Sequence, residues 1–136
     1  MWYYNEEGGC LIYIKLIAHK TGGGKDVITD FIKKLPVKEK IDWLSILEAM
    51  ESNNFNVLNT KTWQGKIKEV YFYKFNRIFY IVQGEEIVYL LHACKKQKNK
   101  TENIDKQIVI KRAKELEIEI GIKILWIGIL WSVKYQ

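Results

Sequence analysis

The chain has 136 residues, enough for one compact domain, and a composition 48% hydrophobic and 13% aromatic that excludes wholesale disorder. Its net charge of +6 is unevenly placed: residues 1–60 carry 7 basic and 8 acidic side chains, residues 61–136 carry 15 and 8. That asymmetry points to a polyanionic partner, a nucleic acid or an acidic protein, with lysine used simply for solubility as the alternative.

The opening residues Met1–Glu7 lack the basic and apolar regions of a secretory signal, so a reducing cytoplasm is expected. Cys10 and Cys94 are too few for a disulfide framework or a zinc site. The β-branched and aromatic run Leu11–Ile17 predicts a first strand. After Gly22–Gly24 a helix is expected over Asp26–Leu35, with Val27, Ile28, Phe31, Ile32 and Leu35 on one face. Pro36, the only proline, breaks it. A second helix follows over about Lys38–Ser52, closing a helical hairpin, and Asn53-Asn54 ends it.

The second half changes period. Lys66–Tyr73, Arg77–Val82 and Ile87–Cys94 read as three strands joined by short turns, Lys74-Phe75-Asn76 and Gln83–Glu86, hence an antiparallel meander. A lysine-rich loop over residues 95–100 leads to a third helix, capped by Thr101, whose apolar face runs Ile104, Ile108, Ala113, Leu116. The order predicts an α+β domain, a helical hairpin packed on a small curled antiparallel sheet with a C-terminal helix. Residues 1–117 are assigned to this single domain, leaving 118–136 as an atypical apolar tail. There Ile118–Ile124 alternates with strand period, which fits either a buried last strand or an apolar interaction segment. The uncharged stretch Ile124–Val133 is ten residues, short of the roughly 20 that a bilayer requires, so neither a transmembrane helix nor a membrane partner is expected.

Four pieces of the sequence resemble the RelE/ParE superfamily of toxin–antitoxin systems, in its HigB-like, phage-related branch. Gly24–Leu35 resembles the branch's glycine-led first helix. Lys68-Glu69-Val70-Tyr71 resembles its Tyr-Glu-Leu-Arg strand, and Asn76-Arg77-Ile78-Phe79-Tyr80 its Tyr-Arg-Ile-x-Tyr strand. Leu90–Thr101 resembles Leu-Leu-His-x-Phe-x-Lys-Lys-x-x-Lys-Thr, with Lys111-Arg112-Ala113 following in register. The resemblance covers about residues 11–117. It implies a RelE-like fold and a type II toxin that cleaves messenger RNA on the ribosome, neutralised by a cognate antitoxin, often a small helix-turn-helix protein. Tyr71 stands where the branch carries arginine, so one cation commonly assigned to phosphate contact is missing. The tail beyond residue 117 has no counterpart in the pattern.

Metal-free RNA cleavage of this kind drives a ribose 2′-hydroxyl onto the adjacent phosphate. A base takes that proton, an acid protonates the leaving 5′-oxygen, and cations hold the phosphate charge. No cofactor is implied, and no set of residues is spaced as a metal site. Arg77 is the leading phosphate ligand, since guanidinium binds phosphate bidentately; its plain structural role would be a salt bridge to Glu69. Lys95, Lys96 and Lys98 are expected to clamp phosphate, one of them with a pKa lowered by crowding so that it exchanges protons; a solvated loop is the alternative. Lys100 divides evenly between the two. His92 fits a general acid or base, with a half-buried, hydrogen-bonded packing residue as the favoured alternative. Tyr71 and Tyr73, on one strand face by period two, suit stacking on unpaired bases or a core position, and Lys66, Lys68 and Lys74 suit sequence-blind RNA contacts. The five tryptophans read as core or interface anchors. Gyrase inhibition of the ParE kind and a non-catalytic RNA- or protein-binding regulator are the alternative functions.

Overall fold

The computed structural model describes residues 14–96 and 103–125, together with the backbone of two short strands nearer the N-terminus. Those strands, β1 (Trp2–Tyr4) and β2 (Cys10–Ile12), pair antiparallel as a separate hairpin. The run expected as one strand over residues 11–17 is therefore two, because β3 (Lys15–Ala18) joins a different sheet.

Helix α1 (Val27–Lys33) starts where Asp26 accepts the Thr29 N–H at 2.9 Å and the Thr29 hydroxyl at 2.7 Å. Pro36 then provides the cap of α2 (Val37–Glu51), its fixed φ of −59° suited to a helix entrance. A one-turn 3-10 helix, Phe55–Val57, leads to β4 (Thr60–Gln64), a strand the sequence reading missed. The meander follows as β5 (Ile67–Phe72), β6 (Asn76–Gln83) and β7 (Ile87–Lys95). Asn76 belongs to β6 rather than to the turn. That turn is Tyr73–Phe75, where Tyr73 and Lys74 take φ of 46° and 68° to match the twist of the hairpin.

The five-stranded sheet has the order β3-β7-β6-β5-β4 and is mixed, not antiparallel throughout. β3 runs parallel to β7, with Leu16 opposite Val88. The helical hairpin carries the chain from one sheet edge to the other, and β3 covers the edge of β7 that the meander alone would leave unpaired. Helices lie on both faces. Ile28, Leu35, Trp43, Ile46 and Met50 from α1, α2 and their junction pack on Val70, Phe72, Ile78, Tyr80, Val88 and Leu90. On the other face α3 (Asn103–Ile120) sets Val109, Ala113 and Leu116 against Ile67, Phe79, Ile81 and Leu91. Ile104, expected on the buried stripe, is exposed, and the proposed cap Thr101 lies outside the described residues.

The alternation over residues 118–124 does not make a strand. Residues 118–120 complete α3, leaving Ile118 exposed, and Gly121 ends the helix at φ 72° with its N–H on the Glu117 carbonyl. The chain then turns back on itself. The Glu117 carboxylate accepts the N–H groups of Ile124 and Leu125 at 2.6 and 2.7 Å, and the Ile124 carbonyl accepts the Lys66 N–H. Ile124 and Leu125 are buried in the α3-side core. Trp43 and Trp63 pack on Phe72 and Phe79 respectively. No helix among the described residues is long and apolar enough to cross a membrane.

Candidate nucleic-acid site on the sheet

A β-bulge in β7 decides which side chains reach the α3 face. Tyr80 pairs with Leu90 but Phe79 pairs with His92, so Leu91 is the extra residue. Before the bulge, Val88 and Leu90 point to the helical hairpin; beyond it the odd-numbered Ala93 and Lys95 do. His92, Cys94 and Lys96 are thereby turned to the α3 side. The two adjacent lysines read from the sequence as one cluster part company. Lys95 donates to the Glu39 carboxylate of α2 at 3.0 Å, where Asn76 also donates at 2.7 Å. These bonds hold the Glu39 carboxyl below the usual carboxylate range, the Asn76 contact most strongly. Lys96 instead places its ammonium 5.6 Å from the centre of the Tyr71 ring.

Tyr71 is the hub of this face. Its hydroxyl donates to Glu69 at 2.7 Å and accepts from Arg77 at 3.2 Å. Arg77 stands directly opposite Tyr71 in the β5–β6 ladder, its guanidinium 4.7 Å from the ring centre. The Arg77–Glu69 ion pair closes at 3.0 Å with both side chains 1% exposed. The salt bridge foreseen as the structural role of Arg77 is thus present, and its charge lies inside the protein rather than at the surface. From the edge strand, Lys61 reaches over the same ring at 5.7 Å and approaches Glu69 at 3.8 Å. Desolvation and the bond to Glu69 raise the Tyr71 phenol above its ordinary range, keeping it a neutral donor at neutral pH.

His92 holds helix to sheet. One ring nitrogen, Nε2, meets Asp105 at 2.8 Å; the other, Nδ1, meets the Arg112 guanidinium at 3.3 Å, and Arg112 also donates to the Leu91 carbonyl. Because guanidinium can only donate, Nδ1 accepts and the neutral ring gives its proton from Nε2 to Asp105. Burial holds the imidazole below its usual pKa, against the opposing pull of Asp105. The ring is buried rather than half-buried. Among the described residues, His92, Cys94 and Asp105 are the ones whose ligand atoms approach closely enough to hold a metal, within 4.8 Å. Within this trio His92 and Asp105 are hydrogen-bonded to each other, and burial pushes the Cys94 thiol up to about 12.

The remaining expected contacts scatter. Lys68 is exposed on the opposite face, the one it shares with Val70 and Phe72; Lys66 is exposed at the β4–β5 turn. Tyr73 does not share the Tyr71 strand face, because its positive φ places it in the turn with Lys74, and both are exposed. Lys98 and Lys100 lie outside the described residues. Lys61 was not singled out from sequence. Its signal was available in the alternation of Thr60-Lys61-Thr62, but that polar edge strand carries too little apolar pattern to be read as a strand. A cleft of about 510 Å³ lies away from this cluster, between β3 and α3, bordered by His19, Lys20, Arg112, Glu115 and Glu119. Its mixed charges do not converge on one kind of ligand.

No curated protein matches the chain. The family described as Phage derived protein Gp49-like (DUF891) matches residues 30–114, a span that holds α2, the four strands β4 to β7, most of α3 and every member of the Tyr71 cluster. The chain belongs to this phage-derived Gp49-like family, a RelE/ParE-like family associated with the toxins of toxin–antitoxin systems.

Proposed function

We propose that the protein is a HigB-like type II toxin, a cytoplasmic endoribonuclease that cuts messenger RNA on the ribosome through metal-free attack of the ribose 2′-hydroxyl. Its partner is a small helix-turn-helix antitoxin, and its toxin domain extends to residue 117, with the following chain bound to it through Ile124 and Leu125. The observation that carries this reading is the Tyr71 hydroxyl held between the Glu69 carboxylate and the Arg77 guanidinium on a cation-lined face. A phenol donating to a carboxylate forms a proton relay. As its oxygen takes the proton of the attacking 2′-hydroxyl, its own proton passes to Glu69, so no free phenolate is required. Arg77, 3.0 Å from Glu69, fixes that carboxylate in place beside the phenol. Lys96 holds the negative charge on the phosphate oxygens while the bond to the 5′-oxygen breaks, and that oxygen takes its proton from water.

The burial of Arg77 in its pair with Glu69 favours a second reading, a regulator that binds RNA without cutting it. Induced expression separates the two. The toxin reading requires growth arrest and cleavage of translated messages, both relieved by Lys96→Ala. Tyr71→Phe keeps the ring but removes the relay, and is expected to slow cleavage about 10²- to 10⁴-fold. RNA binding without arrest or cleavage would establish the regulator. Arrest with DNA damage signalling and intact messages would establish gyrase inhibition.

A further inference from the structure

The buried ion pair changes where the site's usable charge resides. Glu69 neutralises Arg77, and neither reaches solvent, so together they contribute almost nothing to the field that an approaching polyanion meets. Among the described residues, the cations left beside Tyr71 are Lys96 and Lys61. Lys61 is the more distinctive of the two. It lies on the outermost strand, directly opposite Glu69 in the β4–β5 register, and its side chain is 56% exposed. Hydrogen bonding to Tyr71, with help from the Glu69 charge, holds its ammonium above the ordinary lysine range, so it is fully charged at neutral pH.

We propose that Lys61 is an RNA-binding residue of this site, holding the phosphodiester backbone on one flank of Tyr71 while Lys96 holds it on the other. The contact of Lys61 with Glu69, at 3.8 Å and half in solvent, is weak enough to exchange for a phosphate oxygen. The charge of Arg77 stays in place to organise the phenol.

This inference rests on the RNA-directed reading above, and the test separates their failures. The probe is a short single-stranded RNA with 2′-O-methyl riboses, which cannot supply the attacking hydroxyl, titrated onto the full chain at several salt concentrations. Lys61→Gln is expected to weaken binding about fivefold to tenfold and to reduce the salt-dependence slope by about 0.7, the value for one phosphate contact on a single strand. Lys61→Arg should restore both, and the exposed α2 variant Lys38→Gln should alter neither. Unchanged affinity and slope in Lys61→Gln, with the wild-type chain binding normally, would overturn the assignment of Lys61 alone. So would a loss of affinity with no change of slope, which marks a packing effect. Should the wild-type chain not bind free RNA, cleavage of translated messages on induced expression is the readout: undiminished cleavage by Lys61→Gln would overturn the assignment, and no cleavage by the wild type would overturn the functional reading as well.

Discussion

The two faces of the sheet bury different chemistry. Toward α1 and α2, β5 to β7 present Val70, Phe72, Ile78, Tyr80, Val88 and Leu90, and the helices answer with Ile28, Trp43, Ile46 and Met50. Toward α3, the apolar set Ile67, Phe79, Ile81 and Leu91 gives way along the same strands to Glu69, Arg77, His92 and the half-buried Tyr71. A buried ion pair is a poor route to stability, since well-packed apolar residues of similar volume usually do as well or better. The hairpin face holds a looser polar contact, Glu39 with Asn76 and the half-exposed Lys95, so the fully buried pair sets the α3 face apart as shaped for something besides folding.

Breaking the polar face should therefore cost stability in a way that repacking it does not. The largest effect is expected from Arg77→Ala, which leaves the Glu69 carboxylate buried without its guanidinium and should lower unfolding free energy by about 3–5 kcal/mol in denaturant titration. The double variant Glu69→Leu/Arg77→Met should recover much of that loss while abolishing RNA cleavage. If the single variant is as stable as the wild type, the pair is not buried as described. A smaller, pH-dependent effect belongs to His92. Its folded pKa lies below the unfolded 6.5, so its contribution is complete above 6.5 and is lost as pH falls through the folded value. Thermal unfolding between about pH 7.5 and about pH 5 should show a decline that His92→Gln reduces, with His19, shifted the same way, unaltered in both proteins. The smallest effect separates neighbours. Lys95→Gln should cost a small amount of stability through its part-buried contact with Glu39, whereas Lys96→Gln should leave stability unchanged and weaken RNA binding.

Local signals made much of this architecture legible. The apolar spacing of α2, the break at Pro36 and the three β-branched runs of the meander are short-range patterns, and each element lies within a few residues of its expected place. The parallel pairing of β3 has no such signal, because Leu16 and Val88 are far apart in sequence. Within the site, Tyr71 and Arg77 could be named as residue types, but not the burial of Arg77, which depends on Glu69 and Tyr71 closing around it from the neighbouring strand. The face taken by each of Lys95 and Lys96 depends on a single extra residue, Leu91, which reverses the alternation that a sequence reader extends along a strand.

The position of β3 also bears on the order in which the chain can fold during synthesis. Its partner strand follows the whole helical hairpin and three further strands, so the register of Lys15–Ala18 against Ile87–Leu90 has nothing to form on until most of the chain has emerged. Closing so long a loop is entropically unfavourable and slow compared with the local hairpins of the meander. The meander is therefore the natural nucleus, and β3 the late strand that seals it. A ribosome stalled before β7 would carry a chain with no completed sheet edge and no Lys96 beside Tyr71, and so without an assembled site.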